Sequence, residues 1–179
     1  MQQLSFDALG TSWQILLDQS FLPPFFSKRL YSLVTDFERR YSRFLPSSEI
    51  SAINHSSQTT FTVSPDLAAM LTFAHRLTAA TDGYFTPTLT SLLESYGYDA
   101  TLSFKSSPPH PSTHSYSLKG NSLTKTPTTQ FDLGGLGKGY LIDKIAKFLK
   151  GTDFSFFLIN GGGAIYATSH ADATAWHAA

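Results

Sequence analysis

The sequence predicts a mixed fold of helices and strands, α+β in class, on three observations. Two long stretches repeat their apolar residues at helical spacing. Short apolar runs bounded by glycine, proline and serine read as strands, and a glycine-rich segment joins one such run to a helix. The composition supports a packed core: 41% of the 179 residues are hydrophobic and 14% aromatic, which is more than a disordered chain carries. A length of this order suggests one domain.

Taken in order, the segment from Leu4 to Leu17 is rich in strand formers and broken at Gly10-Thr11, which predicts strand, tight turn and second strand from Trp13 to Leu17. Pro23-Pro24 then interrupts the chain. From Phe26 to Arg40 the apolar residues Phe26, Leu30, Leu33, Val34 and Phe37 predict a helix with one face on a sheet. Ser47 to Ile53 reads as a short helical turn capped by Ser47 or Ser48. Ser64-Pro65-Asp66 starts a longer helix, with serine as cap and proline in the first turn, and Asp82-Gly83 stops it. Pro, Ser, Thr and His dominate from Ser106 to Ser115, as in a surface loop. Tyr116 to Leu118 and Ser122 to Thr124 flank Lys119-Gly120-Asn121 as a hairpin. Phe131-Asp132-Leu133 is expected as a short strand leading into the glycines. The helix that follows carries Ile142, Ile145, Ala146 and Leu149 on one face and stops at Gly151. Phe154 to Ile159 reads as a strand buried on both faces, and Ala164 to Ala167 as another.

Composition also excludes some functions. Thirteen basic residues balance 13 acidic ones without a basic block, so a nucleic-acid backbone has no surface to meet. The absence of cysteine excludes a disulfide framework and thiolate metal sites. Met1-Gln2-Gln3-Leu4 does not begin a secretory signal, and no apolar run reaches membrane-spanning length. The expectation is a cytoplasmic chain as written, or an exported or anchored one if a signal was removed. The ending Ala175-Trp176-His177-Ala178-Ala179, soon after a strand-like run, is expected of a chain truncated within a sheet.

The most specific stretch is Phe131-Asp132-Leu133-Gly134-Gly135-Leu136-Gly137-Lys138-Gly139-Tyr140-Leu141-Ile142-Asp143. Glycines between strand and helix let a backbone approach a ligand closely. Amides at a helix start favour phosphate, and Lys138 adds a positive charge. The spacing fits neither the Walker loop nor the dinucleotide fingerprint. On composition alone, a phosphate cradle and a purely structural turn stay equally open. His55, His75, His110, His114 and His177 show no metal-ligand spacing.

This stretch resembles the signature of the ApbE family of FAD:protein FMN transferases, and four further blocks match in the family's order. These are Ala8-Leu9-Gly10-Thr11, the run from Tyr41 to Asn54, Thr81 to Thr88 with Tyr96-Gly97-Tyr98, and Leu158 to Gly163. The resemblance implies an ApbE-like, T-fold-like architecture of largely antiparallel sheet layers covered by helices. It implies that Leu9, Phe44, Tyr84, Phe85, Thr86, Asp132 and Lys138 contact FAD, and that the Gly135 carbonyl binds Mg2+. The implied reaction is transfer of FMN from FAD to a Thr or Ser hydroxyl of an acceptor protein, releasing AMP. FAD hydrolysis to FMN and AMP, or flavin binding without catalysis, are the alternatives. Carbonyl and carboxylate oxygens suit magnesium, which would neutralise charge on a cleaving pyrophosphate.

Three departures stand against that pattern. Thr86 and Gly163 replace carboxylates usual in the family, and its downstream His-x-x-Asp-Pro-x-x-Gly block, with a catalytic histidine and further metal ligands, has no counterpart. His170-Ala171-Asp172 lacks the proline and glycine of that block and reads as loop. The expectation is thus the N-terminal portion of one ApbE-like domain over residues 1–179.

Overall fold

The computed structural model describes residues 1–99, 101, 103–104, 115–152, 154 and 156–168. Most of the expected 106–115 loop, His110, His114, His170, Asp172, His177 and the chain's end lie outside them. In chain order the elements are β1 (Gln2–Ala8), β2 (Thr11–Leu17), α1 (Phe26–Tyr41), α2 (Glu49–Asn54), β3 (Thr60–Thr62), α3 (Pro65–Ala80), α4 (Thr90–Ser95), β4 (Tyr116–Lys119), β5 (Ser122–Lys125), α5 (Gly137–Lys150), β6 (Phe157–Gly161) and β7 (Ala164–Ala167). They form two compact units. The first comprises residues 1–38 and 138–179, the second residues 39–137.

In the first unit an antiparallel sheet runs in the order β1-β2-β6-β7. Gln2 faces Leu17 and Ala8 faces Thr11 across the first hairpin, which leaves a two-residue turn, Leu9-Gly10. Both turn residues are left-handed, with φ of 51° and 70°, the conformation that matches the twist of paired strands. Trp13, Ile15 and Leu17 alternate onto the buried face of β2. Helix α1 buries Phe26, Leu30, Val34 and Phe37, as its periodicity predicts, and α5 buries Leu141, Ile142, Ile145, Ala146 and Leu149. Phe26 joins the two helices and the chain before β6, its ring 5.5 Å from Phe148 and 4.8 Å from Phe154. The Phe6 and Tyr31 rings, 5.4 Å apart, tie β1 to α1. The strand expected from Phe154 begins at Phe157 instead. Its neighbour β2 ends at Leu17, opposite Phe157, and beyond it the Asp18 amide donates to the Phe156 carbonyl at 3.1 Å without extending the strand.

In the second unit β3, β5 and β4 form a small antiparallel sheet, with α2, α3 and α4. The serine caps behave as the sequence predicts. The Ser51 amide donates to Ser48 Oγ at 3.0 Å and the Leu67 amide to Ser64 Oγ at 3.3 Å. The core gathers Ile50, Ile53, Leu67, Met70, Leu71, Leu123 and Phe131. One expectation fails: Phe131-Asp132-Leu133 is not a strand. The Asn54 amide occupies the main chain of Phe131, donating to its carbonyl at 2.9 Å and accepting from its N–H at 2.7 Å. The Asp132 N–H donates to the Pro87 carbonyl at 2.7 Å. A side chain and a loop satisfy groups that a neighbouring strand would otherwise take. No helix among the described residues is long and apolar enough to cross a membrane.

Candidate functional site

The glycine segment turns at Gly134–Leu136, with the Leu136 and Gly137 amides donating to the Leu133 carbonyl, and α5 starts at Gly137. Gly134 and Gly135 are exposed main chain. A Cβ at Gly135 would lie 2.9 Å from the Phe85 ring, and one at Gly134 2.8 Å from Asp132 Oδ1. A side chain at either position would have to displace a neighbouring side chain.

Asp132 is engaged at both carboxylate oxygens. Oδ1 accepts from the Gly134 amide, and Oδ2 accepts from Arg43 Nε–H in an ion pair. The Arg43 side chain is only 5% exposed. It also donates from Nη2 to the Tyr98 carbonyl at 2.7 Å and from Nη1 to Glu94 at 3.4 Å. Its guanidinium lies over the Phe44 ring at 4.2 Å and over Tyr98 at 5.1 Å, and those two rings meet edge-on at 5.6 Å. Phe44 itself is 37% exposed.

The structure thus brings Phe44 and Asp132 together through Arg43, and Phe85 against Gly135. Tyr84 points into solvent at 95% exposure. The Thr86 hydroxyl meets Thr88 Oγ1 at 2.9 Å, forming a local hydroxyl pair. Thr90 Oγ1 is buried without a hydrogen-bond partner among the described residues.

Leu9 and Lys138 belong to the first unit. The Leu9 amide donates to Glu38 at 2.9 Å, and beside this turn lies an open pocket of about 340 Å³ lined by Asp7, Ala8, Gly10, Thr11, Ser12 and Glu38. Lys138 is half-buried in the first turn of α5. At the β6–β7 turn the Gly163 amide donates to Asn160 Oδ1 at 3.0 Å, and a Cβ at Gly162 would lie 2.5 Å from Thr11 Oγ1. Among the described residues no three His, Asp or Glu side chains converge as a metal site. Gly135 remains a single carbonyl donor.

Arg43 and Glu94 carry no role in the sequence reading. Arg43 sits 89 positions from Asp132, and nothing in local spacing links them.

Comparison with known proteins decides the family. The ApbE family model matches residues 9–179. The chain belongs to the ApbE family. A relative from Chlamydia muridarum (strain MoPn / Nigg), named FAD:protein FMN transferase, is 28% identical over 162 residues, covering 83% of this chain and 51% of its own length. Among solved structures, the flavin transferase ApbE from Vibrio cholerae superposes with a TM-score of 0.84 at 21% identity, covering 98% of this chain and 62% of that one. The flavinyl transferase ApbE from Pseudomonas stutzeri, in its apo form, gives 0.83 at 18% identity, covering 98% and 61%. These likenesses establish an ApbE fold of mixed α and β with antiparallel sheets. The chain spans about half the length of the curated relative it matches.

Proposed function

We propose that this ApbE-family chain binds FAD and belongs to an enzyme that transfers FMN from FAD to a Thr or Ser hydroxyl of an acceptor protein, releasing AMP. The observation that carries the proposal is the exposed glycine turn beside Asp132, supported by the ApbE family match. Phe44, Tyr84, Phe85, Thr86 and Asp132 are the FAD contacts assigned to the second unit, Leu9 and Lys138 those assigned to the first. In this reading Phe44 offers its ring to the flavin. Asp132 offers carboxylate lone pairs to a hydroxyl or amine of the substrate, and the Lys138 ammonium balances phosphate charge.

In the proposed reaction the acceptor oxygen attacks the FMN phosphorus, the bond to AMP breaks, and the hydroxyl proton leaves to a base not assigned among these residues. Mg2+ belongs to the proposal through the Gly135 carbonyl. Among the described residues no carboxylates converge with that carbonyl, and one carbonyl does not make a magnesium site by itself, so no step is assigned to the ion. Incubating the chain with FAD, Mg2+ and a flavin-acceptor protein, then reading flavin fluorescence of the acceptor in a gel, tests the assignment. The expected result is FAD binding, with labelling of the acceptor as the direct sign of transfer. A chain that binds no FAD would overturn the assignment.

A second reading, a flavin-binding protein without catalysis, is favoured by the missing carboxylates at Thr86 and Gly163. Magnesium-dependent AMP release from bound FAD, without any acceptor, would instead favour FAD hydrolysis.

A further inference from the structure

A guanidinium kept this far from water is costly unless its charge and donors are met. Arg43 meets them with two carboxylates of unequal weight. Glu94 is 43% exposed and 3.4 Å away, so solvent screens it, whereas Asp132 is 13% exposed and accepts directly from Nε. With the Gly134 amide on Oδ1 and Arg43 on Oδ2, the Asp132 carboxylate is held at both ends. Each oxygen keeps a further lone pair for another donor. The same guanidinium covers one face of Phe44 at 4.2 Å.

We infer that Arg43 is a positioning residue of the flavin site, orienting the Asp132 carboxylate towards FAD. The inference rests on the proposed FAD reading. Arginine suits the task because its planar fork can pair with a carboxylate, donate to the Tyr98 carbonyl and stack on a ring together. A lysine ammonium satisfies only the first of these well.

The test is a double-mutant cycle on the intact chain, with FAD affinity read from quenching of flavin fluorescence and folding from thermal melts. Arg43→Met and Asp132→Asn should each weaken FAD binding about tenfold. The double variant should bind no worse than Asp132→Asn alone, because Arg43 acts through that carboxylate. Arg43→Lys should recover part of the loss. A purely structural arginine would instead give additive losses of about a hundredfold. That result, or an Arg43→Met chain binding like wild type while Asp132→Asn is weakened, overturns the inference. Should Arg43→Met fail to fold, the cycle is run with Arg43→Lys, whose loss must likewise vanish in the Asp132→Asn background. If Asp132→Asn binds FAD as tightly as wild type, the FAD reading of this turn fails and the inference falls with it.

Discussion

Tyr116 shows how burial tunes a single side chain in this protein. Its hydroxyl donates to the Leu71 carbonyl at 2.9 Å, and its ring meets Phe131 edge-on at 5.2 Å. Burial pushes its pKa up to about 12. The unfolded chain gives up this proton near pH 10 while the folded one keeps it, so the stabilisation is whole below pH 10 and is lost as pH rises towards 12. Lys125 pulls the other way. It is 3% exposed, and its ammonium meets the carbonyls of Ser56, Thr126 and Pro127 at 3.3 to 3.5 Å. Burial lowers its pKa, so the folded state releases this proton first and gains stability as pH climbs towards 10.5. The two effects oppose each other, and a difference measurement separates them. Tyr116→Phe should cost about 1 kcal/mol at pH 8 through the lost hydrogen bond, then converge on wild type between pH 10 and 12. Urea unfolding across that range checks it, and parallel alkaline limbs would refute it.

At the level of elements, the legible parts were those whose signals are local. Helix α3 was announced by Ser64-Pro65, α1 by its apolar period, and the β1–β2 hairpin by its glycine. The three residues of β3 and six of α4 escaped notice: one is too short to show a period, and the other lacks a side-chain cap. The pairing of β2 with β6 was equally hidden, since it depends on a contact far along the chain. There Gly161 lies opposite Trp13, and a Cβ on it would sit 2.7 Å from the indole carbons. Trp13 cannot yield easily: it is 1% exposed and its N–H donates to the Ala8 carbonyl at 2.9 Å. Gly161→Ala should therefore destabilise the chain by about 2–3 kcal/mol, lowering the melting temperature by roughly 5–10 °C. An unchanged melt would mean that the indole moves freely.

Across the whole molecule, the ordered blocks of the sequence were recognisable while the physical links between them were not. The first unit is built from both ends of the described chain, and no linker-like composition marks where the second is inserted. Within the second unit, two blocks far apart in sequence meet in one clamp. Asn54 closes the run that starts at Tyr41, and its amide holds both main-chain groups of Phe131, 77 positions away and immediately before Asp132. Sequence matching registers both segments but cannot say that one holds the other. Asn54 is 6% exposed, so removing its amide strands a buried N–H and a buried carbonyl that no water replaces freely. Asn54→Ala should cost about 2–4 kcal/mol, and Asn54→Asp at least as much, because a carboxylate cannot donate to the Phe131 carbonyl. The same variants should speed hydrogen exchange at the Phe131 and Asp132 amides and weaken FAD binding in step, since Asp132 is anchored one residue beyond the clamp. Exchange by mass spectrometry beside FAD titration distinguishes the cases. Faster exchange at 131–132 with unchanged FAD affinity would detach the clamp from the flavin site, and unchanged exchange would show that another contact holds the segment.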